Sequence, residues 1–410
     1  MERRVFIGMA GSIAAGAAGA AGLAARAAWG ADPIRIGAIN PYSGGPALYG
    51  DETTRGYELA AAMRNEKGGL LGRQVSIVRG NAGSPQEGMA AVEQLARNVD
   101  AFIGTFISAV ADAASEAALN NNKLYWETNA LAAQLTARGL PNFIRSGPNS
   151  ADFAAESVLA ITDLVAKGLG AAPKDLKVWV QHEDSIYGTT IGKDQQAGLR
   201  QAGVQIVGVN AYSARAIDQT DIILRAKNAN PDVWLNTGYT ADGNLMLRTA
   251  RDQGFKPKAI VLTGASDTFE TRDSLGKEYL EGILVATFPR WDINPAYGPG
   301  GTEYLAAYRK MFNRDPIAPQ NFTAYTGALV MFDAIEAAGS TEHEKVRAAA
   351  LKLDKKLGSY PNGFGVKFDS NMQNTRAKPI VGQWQNGTVV TVYPAEAVPA
   401  GGKLVGLARG

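Results

Sequence analysis

From residue 34 onward, short apolar runs alternate with longer stretches whose apolar positions recur at helical spacing. Ile34-Arg35-Ile36-Gly37-Ala38-Ile39 predicts a strand, and residues 51–65 follow as a helix. Val75-Ser76-Ile77-Val78 predicts the next strand and 86–97 the next helix; Phe102-Ile103 closes a third strand ahead of a helix over 109–119. Strands and helices in strict alternation imply a parallel sheet covered by helices on both faces. The rhythm then restarts, with strands over 176–180, 204–207, 233–235 and 259–262 and helices over 189–202, 221–228 and 244–253. Two α/β units of similar plan result, with a seam near Gly147-Pro148-Asn149-Ser150. Beyond Phe288 longer helices appear, over 304–312 and 324–338. Short strands then run from 364 to 393 and turn at Asn386-Gly387, a hairpin dipeptide.

The length of 410 residues suits two domains. A net charge of +2, with scattered basic residues, gives no footprint for nucleic acid. There is no cysteine, which excludes disulfides and thiolate metal sites, and the two histidines, His182 and His343, leave little for imidazole chemistry. No metal or cofactor is expected. Residues 1–31 differ from the rest: Arg3 and Arg4 precede an uncharged, Ala- and Gly-rich stretch from Val5 to Ala25, and the segment ends in Ala28-Trp29-Gly30, with Ala25-Arg26-Ala27 as a second cleavage option. Glu2-Arg3-Arg4-Val5-Phe6 resembles a twin-arginine export signal, with Glu2 where Ser or Thr is usual. A cleaved signal and a periplasmic location are expected.

Ligands of open parallel sheets bind beyond the carboxyl ends of the strands. The loops there read Asn40-Pro41-Tyr42-Ser43-Gly44-Gly45, Gly104 to Ser108, and Tyr125 to Asn129 in the first unit. In the second they read Asp184 to Gly188, Thr237 to Thr240, and Thr263 to Asp267. Each unit places a Tyr-Gly pair, Tyr49-Gly50 and Tyr187-Gly188, just ahead of a predicted helix. The helix start at Ser108 suits a ligand carboxylate, because free amides and the helix dipole both favour an anion. Trp126 reads as core or cleft floor and Glu127 as a strand-end acid that would serve as a substitute ammonium partner. Arg145 and Arg290-Trp291 read as seam and hinge residues. Enzyme motifs fail: Gly188 to Lys193 is one residue short of a phosphate loop and is followed by Asp194, and Gly264 to Thr268 lacks the closing glycine of a nucleophile elbow. His182-Glu183-Asp184 has no second histidine nearby. The expectation is binding, not catalysis.

Several segments, taken in order, resemble the type I periplasmic binding proteins of the branched-chain amino acid, amide and urea type, which serve ABC importers. They are Asn40 to Gly44, Tyr49-Gly50, Gly56-Tyr57-Glu58-Leu59-Ala60, Gly68 to Arg73, Ile103 to Ser108, Asn142 to Arg145 and Ile186-Tyr187-Gly188. The resemblance implies an α/β fold of two Rossmann-like lobes joined by a hinge with crossovers. The lobes would be residues 32–147 with 287–360, and 148–286 with 361–410. It implies a monomer that closes on a small organic ligand and meets a permease in the inner membrane. It carries over Ser108 as carboxylate anchor, Asn129 and Leu131 as backbone contacts, and Tyr49, Tyr187 and Tyr239 as cleft aromatics. Tyr42, Ser266 and Asp267 complete the expected site. The amino-acid binders place an acid in the loop that here reads Thr263-Gly264-Ala265-Ser266-Asp267. Ala265 or Ser266 falls at that position, with Asp267 one or two places late, so an aromatic or aliphatic acid, or an amide, competes with an α-amino acid as ligand. The alternative is a periplasmic sensor, or an amide- or urea-binding protein, on the same fold.

Overall fold

The computed structural model describes residues 32–407, so the expected export segment lies outside the described residues. Strands β1 (Ile34–Asn40), β2 (Val75–Asn81), β3 (Ala101–Gly104), β4 (Leu124–Glu127) and β5 (Phe143–Arg145) form one parallel sheet in the order β2-β1-β3-β4-β5. Strands β6 (Lys177–Glu183), β7 (Gln205–Tyr212), β8 (Val233–Thr237), β9 (Ala259–Thr263) and β10 (Leu284–Thr287) repeat the plan as β7-β6-β8-β9-β10. A small ladder joins β11 (Asp354–Lys355) to β12 (Val366–Lys367). The hairpin of β13 (Ile380–Gln385) and β14 (Thr388–Tyr393) then extends the second sheet antiparallel to β10. It turns at Asn386 and Gly387, both with positive φ, as Asn-Gly allows.

Period-two alternation puts a core on each face of both sheets. In the first sheet Ile34, Ile36, Ile103 and Trp126 share one core, while Ile39, Phe102 and Tyr125 share the other. In the second, Val178, Val180, Val233 and Leu235 face one way and Trp179, Trp234 and Ile260 the other. The strands therefore read as apolar runs rather than alternating ones, as the sequence does.

The chain passes between the sheets three times: between β5 and β6, after β10, and ahead of β13. After β10, helices Gly301–Phe312 and Gln320–Ala338 pack back onto helix Ala47–Glu66 of the first sheet. Gly56 permits this approach, because a Cβ there would lie 2.4 Å from the Asn321 carbonyl oxygen. Buried Glu52 ties the three helices together, accepting bonds from the Tyr308 hydroxyl (3.0 Å), the Ile317 amide (3.1 Å) and Asn321 Nδ2 (3.4 Å), besides Arg55 on its own helix (2.7 Å). Among the described residues, no helix is long and apolar enough to cross a membrane.

The seam begins with a capping box, Asn149 with Asp152, that starts helix Ser150–Leu159. Glu156 on this helix is pushed up from 4.5 to about 8 by burial, which outweighs nearby Lys378. An acid whose folded value is raised favours folding below about pH 4.5, and that contribution is lost as pH rises through about 8. Glu156→Gln should match the wild type in thermal stability near pH 5 and exceed it at pH 9 by on the order of 2 kcal/mol. A difference that stays flat across that range contradicts the assignment.

Candidate ligand-binding cleft

In each sheet the strand order reverses direction at one point, between β1 and β3 in the first and between β6 and β8 in the second. Connections leave such a point to opposite faces and open a crevice at the carboxyl ends. Each of the four segments that leave these strands contributes one aromatic ring. Tyr49 lies in the first turn of helix Ala47–Glu66, after β1, and Phe106 in the loop after β3. Tyr187 lies in the first turn of helix Ile186–Gln201, after β6, and Tyr239 at the N-cap of helix Thr240–Asp252, after β8. The Tyr-Gly pairs thus sit inside the helices rather than ahead of them. Pro46 and Ser185 are the N-caps; the Ser185 hydroxyl accepts the Tyr187 amide at 3.3 Å.

The rings meet across the two units. Tyr49 and Phe106 have centroids 5.4 Å apart, Phe106 and Tyr239 6.2 Å, and Tyr187 and Tyr239 5.0 Å. The Tyr49 hydroxyl also bonds the Thr240 hydroxyl, directly joining the first unit to the second. Beneath them lies a small cavity, completed by Asn129, Leu131, Gly264, Phe288 and Gln320. It opens toward a groove of about 1440 Å³ bordered by Pro46, Pro85, Ser185 and Arg215. Tyr187 donates to the Gly238 (3.2 Å) or Thr263 (3.3 Å) carbonyl, which fixes its ring as a wall. Gly264 makes room: at φ 75° a Cβ would stand 2.1 Å from the Tyr187 hydroxyl. Burial raises the phenols of Tyr49, Tyr187 and Tyr239 well above their ordinary value, so all three are neutral hydrogen-bonding groups.

None of the ten cavity-lining side chains is an acid or a base. The polar end is made by Asn129 and Gln320, only 2% and 3% exposed. Asn129 Nδ2 donates to the Gln320 backbone carbonyl (3.0 Å) and the Thr53 hydroxyl (3.2 Å), while Asn129 Oδ1 and Gln320 Oε1 have no protein partner. A buried acceptor left unpaired costs about 1–3 kcal/mol.

Of the nine residues expected at the site, five line the cavity: Tyr49, Asn129, Leu131, Tyr187 and Tyr239. Four do not. Tyr42 packs under Arg79, 5.1 Å from its ring centre, and bonds the Thr54 hydroxyl at 2.7 Å, securing the loop after β1. Buried Ser108 accepts the Ala132 amide at 3.2 Å and so holds the loop that carries Asn129 and Leu131. Ser266 adopts φ 60°, rare for a serine, and its amide reaches the Thr240 hydroxyl at 3.3 Å. Asp267 follows that bend. Its carboxylate accepts the Thr287 hydroxyl at 2.5 Å and the Tyr49 phenol at 3.4 Å, and it borders a separate void of about 220 Å³ beside Arg290 and Trp291. Glu127 is occupied too, accepting the amides of Thr105 (2.7 Å), Thr128 (2.8 Å), Asn129 (2.9 Å) and Ala130 (3.0 Å). Phe106, Thr240 and Gly264 lie in strand-end loops singled out on sequence but are not among the nine. Phe288 directly follows β10. Gln320 carries no sequence signal, because it arrives from 191 residues beyond Asn129.

A family model described as "Periplasmic binding protein" matches residues 33–389. Leu/Ile/Val-binding protein homolog 7 of Brucella suis is 36% identical over 89% of this chain and 92% of its own. Among solved structures, a leucine-binding protein of Thermotoga maritima superposes with a TM-score of 0.75 at 24% identity, covering 90% of this chain and 99% of that one. A solute-binding protein of an ABC transporter from R. palustris, in complex with 4-hydroxybenzoate, superposes at 0.73 and 21% identity, covering 88% and 95%. At these identities the superpositions speak for the fold, which is the two-sheet α/β plan expected. The length and identity of the sequence matches place the chain, plainly, in the periplasmic binding protein family of solute-binding proteins.

Proposed function

We propose that the protein captures a small carboxylate-bearing solute, an amino acid or an aromatic or aliphatic acid, between its two α/β units and delivers it to an ABC-type permease in the inner membrane. The observation that carries this reading is the meeting of Tyr49 and Phe106, from one sheet's switch point, with Tyr187 and Tyr239 from the other's. A solute held there touches both units, so it stabilises the closed arrangement, and the permease reads closure. The protein binds without chemistry. The proposed contacts are Tyr49, Asn129, Leu131, Tyr187 and Tyr239. The amino end of helix Ser108–Asn120, which borders the groove at Ile107, Ala109 and Val110, anchors the carboxylate through its backbone amides.

The units are proposed as residues 32–147 with 288–377, and 148–287 with 378–407. Both boundaries differ from those expected on sequence: Thr287 ends β10 of the second sheet, and Phe364, Val366, Phe368 and Met372 share the first sheet's core. The protein acts as a periplasmic monomer after loss of residues 1–31 along the twin-arginine route. Thermal shift of the chain from Asp32, unfolded and refolded to strip bound solute, tests the reading. The panel holds branched-chain and aromatic amino acids, their deaminated acids, benzoates, cinnamates, short amides and urea. At a hundredfold excess over Kd, a true ligand adds about 2.7 kcal/mol. A stabilising acid or amino acid is expected; silence across the acids and amino acids contradicts the reading.

A further inference from the structure

We infer that the cavity selects an aromatic acid that has no ammonium group and presents a neutral donor, a hydroxyl or a primary amide, to Asn129 and Gln320. This rests on the capture reading above and narrows it. An α-ammonium buried in the cleft needs a countercharge, and the cavity wall offers none. Asp184 is exposed at the groove, away from the cavity wall, and four other acids nearby are already engaged. Asp267 is held by Thr287 and Tyr49, and Glu127 by four backbone amides. At the groove, Glu183 accepts the Ser185 hydroxyl (2.6 Å) and the Gly188 amide (2.5 Å), and Asp242 accepts the Tyr212 phenol (2.6 Å).

The positive part of the inference comes from the polar end. The Gln320 backbone carbonyl can only accept, so the amide orientation of Asn129 is fixed with its nitrogen toward that carbonyl. Asn129 Oδ1 is thereby left without a partner at the cavity wall, beside the equally unpartnered Gln320 Oε1. Two buried neutral acceptors and no acid on the cavity wall match a neutral O–H or N–H donor rather than a cation. Five of the other eight lining residues are aromatic, and rings pack against rings in the tilted geometries that Tyr187 and Tyr239 already show, 37° apart.

The test is titration calorimetry of the refolded protein with benzoate, 3- and 4-hydroxybenzoate, 4-hydroxybenzamide, 4-hydroxycinnamate, tyrosine and leucine. A hydroxylated acid is expected to bind at least about tenfold more tightly than its unhydroxylated parent, since an unfilled polar site discriminates strongly. Tyrosine and leucine are expected to give no binding heat. Gln320→Met should shrink the ratio of 4-hydroxybenzoate to benzoate affinity, the readout that separates lost donor recognition from a general loss of packing. Equal affinity for benzoate and both hydroxybenzoates overturns the donor assignment, and tight binding of leucine or tyrosine overturns the exclusion of ammonium; the capture reading survives either result. If neither the acids nor the amino acids bind, the capture reading itself falls.

Discussion

Arg145→Met is expected to destabilise the protein by about 3–5 kcal/mol, seen as a lower midpoint in urea at pH 7. Arg145 is fully buried at the end of β5, where the chain leaves the first sheet. Its Nε donates to Gln373 Oε1 at 2.6 Å, and one Nη donates to the carbonyls of Ala130 (3.0 Å) and Ala132 (2.8 Å). Burial lowers the guanidinium to about 10, so it is still charged at pH 7. Methionine fills similar volume but strands three acceptors, each worth about 1–3 kcal/mol when buried and unpaired. Ala130 and Ala132 belong to the loop that carries Asn129 and Leu131, and Gln373 lies just ahead of the last crossing, bonded to Gly147 at 2.8 Å. Arg145→Lys restores the charge without the fork and should fall between the two. A loss below about 1 kcal/mol for the methionine variant would mean that water or a shifted backbone satisfies these carbonyls.

The sheet plan was legible because β-strands buried on both faces leave continuous apolar runs. Ile34 to Ile39 and Val178 to Val180 are visible as strands without any knowledge of their neighbours. Strand-end loops were legible for the same reason, and they held Tyr49, Tyr187 and Tyr239. What the chain conceals is which atoms of those loops face the cleft. Asp267 looks available in sequence, but Ser266 in the left-handed region turns it toward Thr287. Ser108 looks like a ligand contact, yet its oxygen is used on Ala132. Gln320 could not be found from pattern, since only the packing of helix Gln320–Ala338 against helix Ala47–Glu66 brings it beside Asn129. Helix Ser150–Leu159 was also missed: its capping box was read only as a seam, and its run of small residues gives weak periodicity.

Tyr187→Ala carries the second large effect, a loss of about 2 kcal/mol in binding, or about thirtyfold in Kd. The ring lies 5.0 Å from Tyr239 and packs with Leu131, Phe153 and Phe288, so it forms wall and floor at once. Truncation removes apolar area from any bound solute and lets water in. Tyr187→Phe keeps the ring and loses only a bond to a carbonyl that sits at 3.2 Å, so its effect on affinity should be several times smaller. Comparing the two separates the wall from the hydroxyl.

The most direct measurement is titration calorimetry of wild type, Tyr187→Phe and Tyr187→Ala, each refolded free of carried-over solute, with the acid that gives the largest thermal shift. One site per chain is expected, nearly intact in the phenylalanine variant and weakened about thirtyfold in the alanine variant. A folded Tyr187→Ala protein that binds with wild-type affinity would place the solute outside this cleft and contradict the account.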